Sequence, residues 1–287
     1  MKHEIKKREL RNLKTSWLEY GSKEDPILLL LHGYPDTPDA WEYQIEFFSD
    51  RFHIICPYVR GALPSSRGEG LSRYTPESIA LDFLQILETV DPEHKRKVTV
   101  IGHDFGGAHA WTLAPLLGKR LERLVIINAL SLPQLLNRWK RPKQFLKSWY
   151  VYPMLLPYLP EFLTSHFSKE LLNLAYSIGK LPKEMRPTPE NPERHIVEPI
   201  NQYRSFILEA LKGNGTRFTQ IHCPTLILWG KKDAFLLPPT VEEIEPFTSE
   251  LTMRILDGNH WIHREKSREV NHLIEKFMDK ENVAHAS

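Results

Sequence analysis

Thiols are scarce: Cys56 and Cys223 are the two cysteines among 287 residues. They form no Cys-x-x-Cys and no zinc-type spacing, and each sits in or beside an apolar run. Buried free thiols are therefore expected, together with a reducing, cytoplasmic setting. No apolar run approaches the ~20 residues of a bilayer span. The charged opening Met1-Lys-His-Glu-Ile-Lys-Lys-Arg-Glu-Leu10 lacks the apolar core of a secretory signal. Excess charge is missing too. With 38 Lys and Arg against 36 Asp and Glu, the net charge of +2 is too small to argue for nucleic acid. Repeats and low-complexity tracts are absent from the sequence, and neither a metal nor a cofactor is expected. No Gly-x-Ser-x-Gly occurs, which argues against serine esterase chemistry.

What is present is a soluble, globular composition, 41% hydrophobic and 26% charged. Seven short segments rich in Val, Ile and Leu read as strands: 16–20, 27–31, 53–56, 98–101, 124–127, 225–229 and 251–256. An eighth, Ile5 to Leu13, is less distinct. Helical spacing lies between most of them, as in Ser78 to Val90 and Ala108 to Leu117. Near-continuous apolar strands alternating with helices predict a mostly parallel, eight-stranded sheet with helices on both faces. The alternation stops between about Ser131 and Thr219, where the pattern is helical and rich in Trp, Tyr, Leu and Pro. Within it, Leu181 to Pro192 carries Pro182, Pro187, Pro189 and Pro192 and cannot be one regular element. The expected organisation is a core in two parts, 1–130 and 220–287, with a helical cap inserted at 131–219.

Ligands of such sheets bind beyond the carboxyl ends of the strands, and four motifs fall there. His32-Gly33-Tyr34-Pro35 follows the 27–31 strand. Gly102-His103-Asp104-Phe105-Gly106-Gly107 follows 98–101 and opens a helix, the setting of a nucleophile elbow with a carboxylate at its apex. Asp233 follows 225–229, and His260 follows 251–256. Nucleophile, acid, histidine is the chain order of an α/β-hydrolase triad. Taken alone, the turn at Asp104 also reads as a helix N-cap aspartate; the three other rim motifs favour the elbow.

Across nearly the whole chain, from about Ser16 to Phe277, these motifs resemble the epoxide hydrolase family of the α/β-hydrolase superfamily, close to the haloalkane dehalogenases. The resemblance rests on His32-Gly-Tyr-Pro35 with Trp41, Arg60-Gly61, the Asp104 elbow, Leu228-Trp-Gly-Lys-Lys-Asp233 and Gly258-Asn-His-Trp261. Two further segments match the family's cap: Ser148-Trp149-Tyr150 with Leu156-Pro157 and Leu159-Pro160-Glu161, and Pro199-Ile-Asn-Gln-Tyr203-Arg204. It implies that Asp104 attacks an epoxide carbon while Tyr150 and Tyr203 hold the oxygen. His260, oriented by Asp233, would then activate water against the resulting ester. Its oxyanion would rest on the backbone N–H groups of Tyr34 and Phe105, since Pro35 has none. His32, Pro35, Trp149 and Trp261 are expected near the substrate. The implied partners are a small apolar epoxide and water, with the chain a monomer or a homodimer.

Each residue type has a plainer reading beside it. His32 and His103 read as loop braces, and His263 as secondary to His260. Tyr150 lies among Trp149, Tyr152 and Tyr158 and would be called core packing without the family pattern. Asp257 competes with Asp233 but lies in the histidine's own loop, and Asn128, an amide, cannot supply the acid's charge. Arg138, Lys140, Arg141, Lys143 and Lys147 read as a solvated helix face, with contact to an anionic membrane surface as the lesser alternative. Phe105 stands where many relatives carry tryptophan, and Arg60-Gly-Ala-Leu-Pro-Ser65 departs from the usual Arg-Gly-Tyr-Gly. The lost indole weighs against a dehalogenase, which remains the alternative; a catalytically silent binding protein is the second.

Overall fold

The structure, a computed structural model, describes residues 4–187, 200–212 and 219–279. Its strands are β1 (Glu4–Leu10), β2 (Leu13–Tyr20), β3 (Ile27–Leu31), β4 (His53–Tyr58), β5 (Val98–His103), β6 (Leu121–Ile127), β7 (Ile221–Gly230) and β8 (Thr248–Leu256). They form one sheet in the order β1-β2-β4-β3-β5-β6-β7-β8. The pairs β1–β2 and β2–β4 are antiparallel, and every pair from β4 to β8 is parallel. The indistinct segment Ile5 to Leu13 is not one strand. Arg11 and Asn12 adopt left-handed backbone (φ 50° and 61°) and turn it into a hairpin. Most of the other strands run a few residues beyond their apolar runs, because ladder bonds continue where apolarity stops.

The apolar strands are buried because both faces are covered. Leu29, Leu31, Val100, Leu124, Ile126 and Ile227 pack on one side with α2 (Pro76–Val90) and α3 (Phe105–Leu117), through Ile79, Phe83, Trp111 and Leu117. Their sequence neighbours Leu28, Leu30, Ile101, Val125, Leu226 and Leu228 face the other side. There they meet α1 (Glu42–Phe48) and the C-terminal helix Ser267–Asp279 through Ile45, Phe48, Val270 and Ile274. Period-two alternation sorts one continuous apolar run into two cores. Each fully buried Leu or Ile contributes roughly 1.5–3 kcal/mol. Cys56 and Cys223 are buried free thiols.

Between β6 and β7 the described residues form a helical insert: α4 (Leu132–Trp139), α5 (Pro142–Lys147), α6 (Val151–Leu155), α7 (Leu159–Ile178) and α8 (Ile200–Leu211). Of the proline-rich segment, Leu181 to Pro187 is described, with a short 3-10 turn at Lys183–Met185. Pro189, Pro192 and Pro199 lie outside the described residues.

Helix α3 can start where it does because glycine lets it approach the sheet. A Cβ on Gly106 would lie 2.1 Å from the Leu31 carbonyl oxygen, and one on Gly102 would lie 2.5 Å from that of Gly106. Both obstacles are backbone and cannot rotate away. Gly106→Ala should therefore cost at least about 3 kcal/mol of unfolding free energy. Urea denaturation of the purified variant tests this, and a loss under ~1 kcal/mol would show that the contact yields.

Candidate active site

Asp104 occupies the step between β5 and α3 with φ 53° and ψ −125°. Left-handed φ is uncommon in a residue with a Cβ, and it turns the side chain out at the sheet's carboxyl edge. The turn is held by the Asp104 N–H on the Ile127 carbonyl (3.3 Å) and the Ala108 N–H on the Asp104 carbonyl (3.0 Å). One carboxylate oxygen, Oδ1, accepts the Tyr34 N–H at 2.9 Å. The other, Oδ2, stands 3.5 Å from His260 Nε2. On the far side of the ring, His260 Nδ1 lies 2.8 Å from Asp233 Oδ2.

Asp233 is fixed by backbone and side chain together. Its Oδ1 accepts the Phe235 and Leu236 N–H groups at 2.7 and 3.0 Å. Its Oδ2 also accepts Asn128 Nδ2 at 2.6 Å, while Asn128 Oδ1 accepts the Gly230 N–H. Asn128 thus belongs to the acid's surroundings as a donor, though it cannot itself be the acid. Its place directly after β6, on the same rim as Asp104, was the available signal. Asp257 is far from this arrangement: it faces solvent and pairs with Lys232 at 2.8 Å.

The imidazole of His260 is enclosed by Phe235 and Trp261, each 5.0 Å away, and by His103 at 4.7 Å. His103 Nε2 lies 3.0 Å from the His260 carbonyl oxygen. Burial opposes charge on His260, but the facing carboxylates of Asp233 and Asp104 overcome it and lift its pKa to about 10. Asp104 and Asp233 are likewise penalised by burial, yet His260 holds both below the ordinary carboxylate range. Burial, helped by the charge on neighbouring His260, takes His103 the other way, to about 3. The resting site is an imidazolium between two carboxylates.

Asp104 opens onto a cavity of about 660 Å³ lined mainly by apolar groups, among them Leu132, Leu135, Trp139, Val151, Phe206 and Leu236. Tyr150 and Tyr203 are in its wall, with ring centres 6.4 Å apart. Burial pushes both phenols well above 10, aided by Asp104 and Asp233 at Tyr150 and by Tyr150 and Asp104 at Tyr203, so both keep their protons. Among the described residues neither hydroxyl has a hydrogen-bond partner. Consecutive residues of α8 divide the work of holding Tyr203. Gln202 Oε1 meets His109 Nε2 of α3 at 2.9 Å, and Arg204 bonds Glu161 and the Met154 and Leu156 carbonyls. Ser148, accepting from Trp139 Nε1 and Gln144 Nε2 at 3.0 Å each, anchors the segment before Tyr150.

The four residues expected near substrate stand elsewhere. None of His32, Pro35, Trp149 and Trp261 lines this cavity. His32 braces its loop, with Nδ1 2.9 Å from the Gly33 carbonyl oxygen and Nε2 accepting the Val59 N–H. Pro35 is buried in the same loop. Trp149 points to solvent, 53% exposed. Trp261 is buried behind His260 and donates to Asp36 Oδ2 at 2.7 Å. The basic cluster is also not a plain solvated face. Arg138 is buried and bonds the Leu237 and Pro238 carbonyls and Glu243; Arg141 pairs with Glu243; Lys147 donates to the Asp233 carbonyl. Lys140 and Lys143 stay exposed.

A family model described as the alpha/beta hydrolase fold matches residues 26–267. Epoxide hydrolase 3 of Xenopus tropicalis is 29% identical over 287 aligned positions, spanning 92% of this chain and 74% of the relative. Human epoxide hydrolase 4 is 28% identical over 286 positions, spanning 94% and 76%. A crystal structure of an epoxide hydrolase from Bacillus megaterium superposes with a TM-score of 0.79, covering 96% of this chain and all of that one. At 21% identity that likeness is one of fold.

The charge arrangement has a direct readout. Nitrogen-15 NMR of the imidazoles should show His260 protonated at neutral pH and losing its proton only near pH 10. In Asp104→Asn, where one facing carboxylate is gone, the titration should move to lower pH. A His260 that titrates near 6.5 in the unsubstituted protein would contradict the ion arrangement.

Proposed function

The chain belongs to the alpha/beta hydrolase fold family, and from that premise we propose that it is an epoxide hydrolase, converting apolar epoxides to vicinal diols through an ester on Asp104. The observation that carries this reading is the pairing of an ionised carboxylate with two protonated tyrosines in the wall of one apolar cavity. A carboxylate already ionised at neutral pH needs no base to attack carbon. An opening epoxide releases an alkoxide that stays on the product, so it needs a proton donor in place, and Tyr150 and Tyr203 supply two. The helical insert, 131–219, then serves as the cap that carries them.

The two oxygens of Asp104 have different tasks. Oδ1 is held by the Tyr34 N–H, so Oδ2, ion-paired to His260 at 3.5 Å, is the nucleophile. Oδ2 bonds to the epoxide carbon as the C–O bond on its far side breaks, and a tyrosine proton passes to the departing oxygen. Ester formation removes the Asp104 charge, one of the two that hold the proton on His260. The imidazolium can now return a proton to the phenolate and become a base. It takes a proton from water, and the hydroxide adds to the ester carbonyl. The oxyanion forms at Oδ1, against the N–H groups of Tyr34 and Phe105. Collapse releases the diol, whose leaving oxygen takes the imidazole's proton and leaves Asp104 as a carboxylic acid. That acid passes its remaining proton, which came from the water, to His260, so one water is consumed and carboxylate and imidazolium are restored. Asp233, held by three donors, keeps the imidazole aligned throughout.

The same nucleophile would serve carbon–halogen hydrolysis, but no free indole N–H stands beside it to hold a halide. The Phe105 side chain has no N–H, and Trp139, the one indole among the described residues lining the cavity, already donates to Ser148.

Three measurements test the proposal. Purified protein offered terminal and aryl epoxides beside chloro- and bromoalkanes should release diol and no halide; halide without diol would reverse the reading. His260→Gln should accumulate an adduct heavier by one substrate molecule in intact mass spectra, and Asp104→Asn should form none. Tyr150→Phe or Tyr203→Phe should slow ester formation about 100-fold while leaving ester hydrolysis near its original rate. Equal slowing of both steps would remove the tyrosines from the acid role.

A further inference from the structure

The outer surface of the helical insert is unlike the rest of the molecule. Nine of the exposed large apolar side chains among the described residues fall within positions 145–174. They include Leu146 (71% exposed), Trp149, Phe162 (56%), Phe167 and, most prominent, Tyr158 (85%). Phe145 and Tyr152 pack ring against ring, 5.1 Å apart, so part of this surface is one aromatic cluster rather than scattered residues. Isolated exposed hydrophobics are ordinary; a run of them on consecutive elements marks a contact surface.

Charge gives the partner. Residues 131–187 hold nine Lys and Arg and three Asp and Glu, a net +6 within a chain of net +2. Glu161, one of the three acids, is tied to Arg204, and Arg138 and Arg141 are tied to Glu243; Lys140, Lys143 and Lys169 stand exposed beside the apolar run, with Glu170 the exposed acid next to them. Tryptophan, tyrosine and phenylalanine interspersed with lysine match the chemistry of an anionic bilayer interface, where rings enter the headgroup zone and ammonium groups meet lipid phosphates. A second copy fits less well, since a twofold contact would set this positive surface against itself.

We infer that the outer face of the insert, from Phe145 to Phe167, docks on a bilayer carrying anionic lipid. The segment is two-sided. Ser148, Tyr150 and Val151 line the cavity, while Phe145, Leu146 and Trp149 face outward. Docking therefore sets the cavity's wall against the phase in which apolar epoxides dissolve. That supply role rests on the epoxide reading, but the docking does not, and its test needs no turnover.

The test is co-sedimentation with vesicles of phosphatidylcholine alone or with added phosphatidylserine. Binding to the anionic vesicles should be at least about tenfold stronger and should weaken as salt rises. Leu146→Glu combined with Phe162→Glu should reduce it about tenfold or more, with an unchanged thermal melt because both side chains are exposed. Independently of that variant, nitroxide-labelled lipid should quench a share of the tryptophan emission that disappears in Trp149→Phe. Equal binding to both vesicle types, full binding by the double variant, or quenching that survives Trp149→Phe would overturn the inference. So would a concentration-dependent dimer that the double variant abolishes while vesicles bind neither protein.

Discussion

A buried imidazolium between two carboxylates is the constraint on which the site depends. At 3 to 4 Å and an effective dielectric of about 20, each ion contact is worth roughly 4–5 kcal/mol. Burying each ion costs several kcal/mol after relaxation. Neither Asp104 nor Asp233 alone would clearly keep His260 charged, whereas together they do. The arrangement is consequently poised: neutralising one carboxylate removes one of the two contacts, and the histidine changes from an ion-pair partner to a base. In the proposed reaction, ester formation would be such a neutralisation, so its first step would prepare the second without a conformational switch.

Poise of this kind needs its members held without slack, and backbone does most of the holding. Asp104 and Asn128 follow the neighbouring strands β5 and β6, and both have positive φ, 53° and 46°. Each points its side chain over the sheet edge instead of continuing the strand. Asp233 takes two N–H groups from its own loop. The insert adds a second grip on that loop: Gln144 bonds the Phe235 carbonyl and the Leu237 N–H, and Lys147 and Arg138 bond three carbonyls between 233 and 238. The elements that line the cavity are thus tied to the loop of Asp233, which bonds His260.

This division explains what could be read from the sequence. The sheet was legible because β3 and β5 to β7 are apolar on both faces, and few other elements tolerate such runs. Asp104, Asp233 and His260 were legible because strand ends fix where rim residues go. The hairpin at Arg11–Asn12 was not, because β1 and β2 lie at the sheet's edge, where charged residues are tolerated and blur the turn. Trp149 and Trp261 were misplaced for a related reason. Adjacency to Tyr150 and His260 says nothing about which way a neighbour points: Trp149 turns to solvent, and Trp261 is buried against the His260 ring and bonds Asp36. The basic cluster was opaque because its partners, Glu243 and the 233–238 carbonyls, lie 86 to 105 positions away in the chain.

The insert's two faces follow from the same limit. A helix of six residues, such as α5, has too little surface to bury one side fully and solvate the other. Gln144 is spent inward on the acid loop, while Phe145 and Leu146 remain uncovered. Short helices in series leave such residues at every turn, and α6 and the start of α7 repeat the pattern with Leu156, Tyr158 and Leu159. Uncovered apolar side chains cost solubility wherever they stand, so a surface that gathers them beside unpaired lysines is stable in water only at some disadvantage. An interface that takes up rings and faces phosphates would remove that disadvantage, and the cavity lined by Ser148, Tyr150 and Val151 lies on the other side of the same segment.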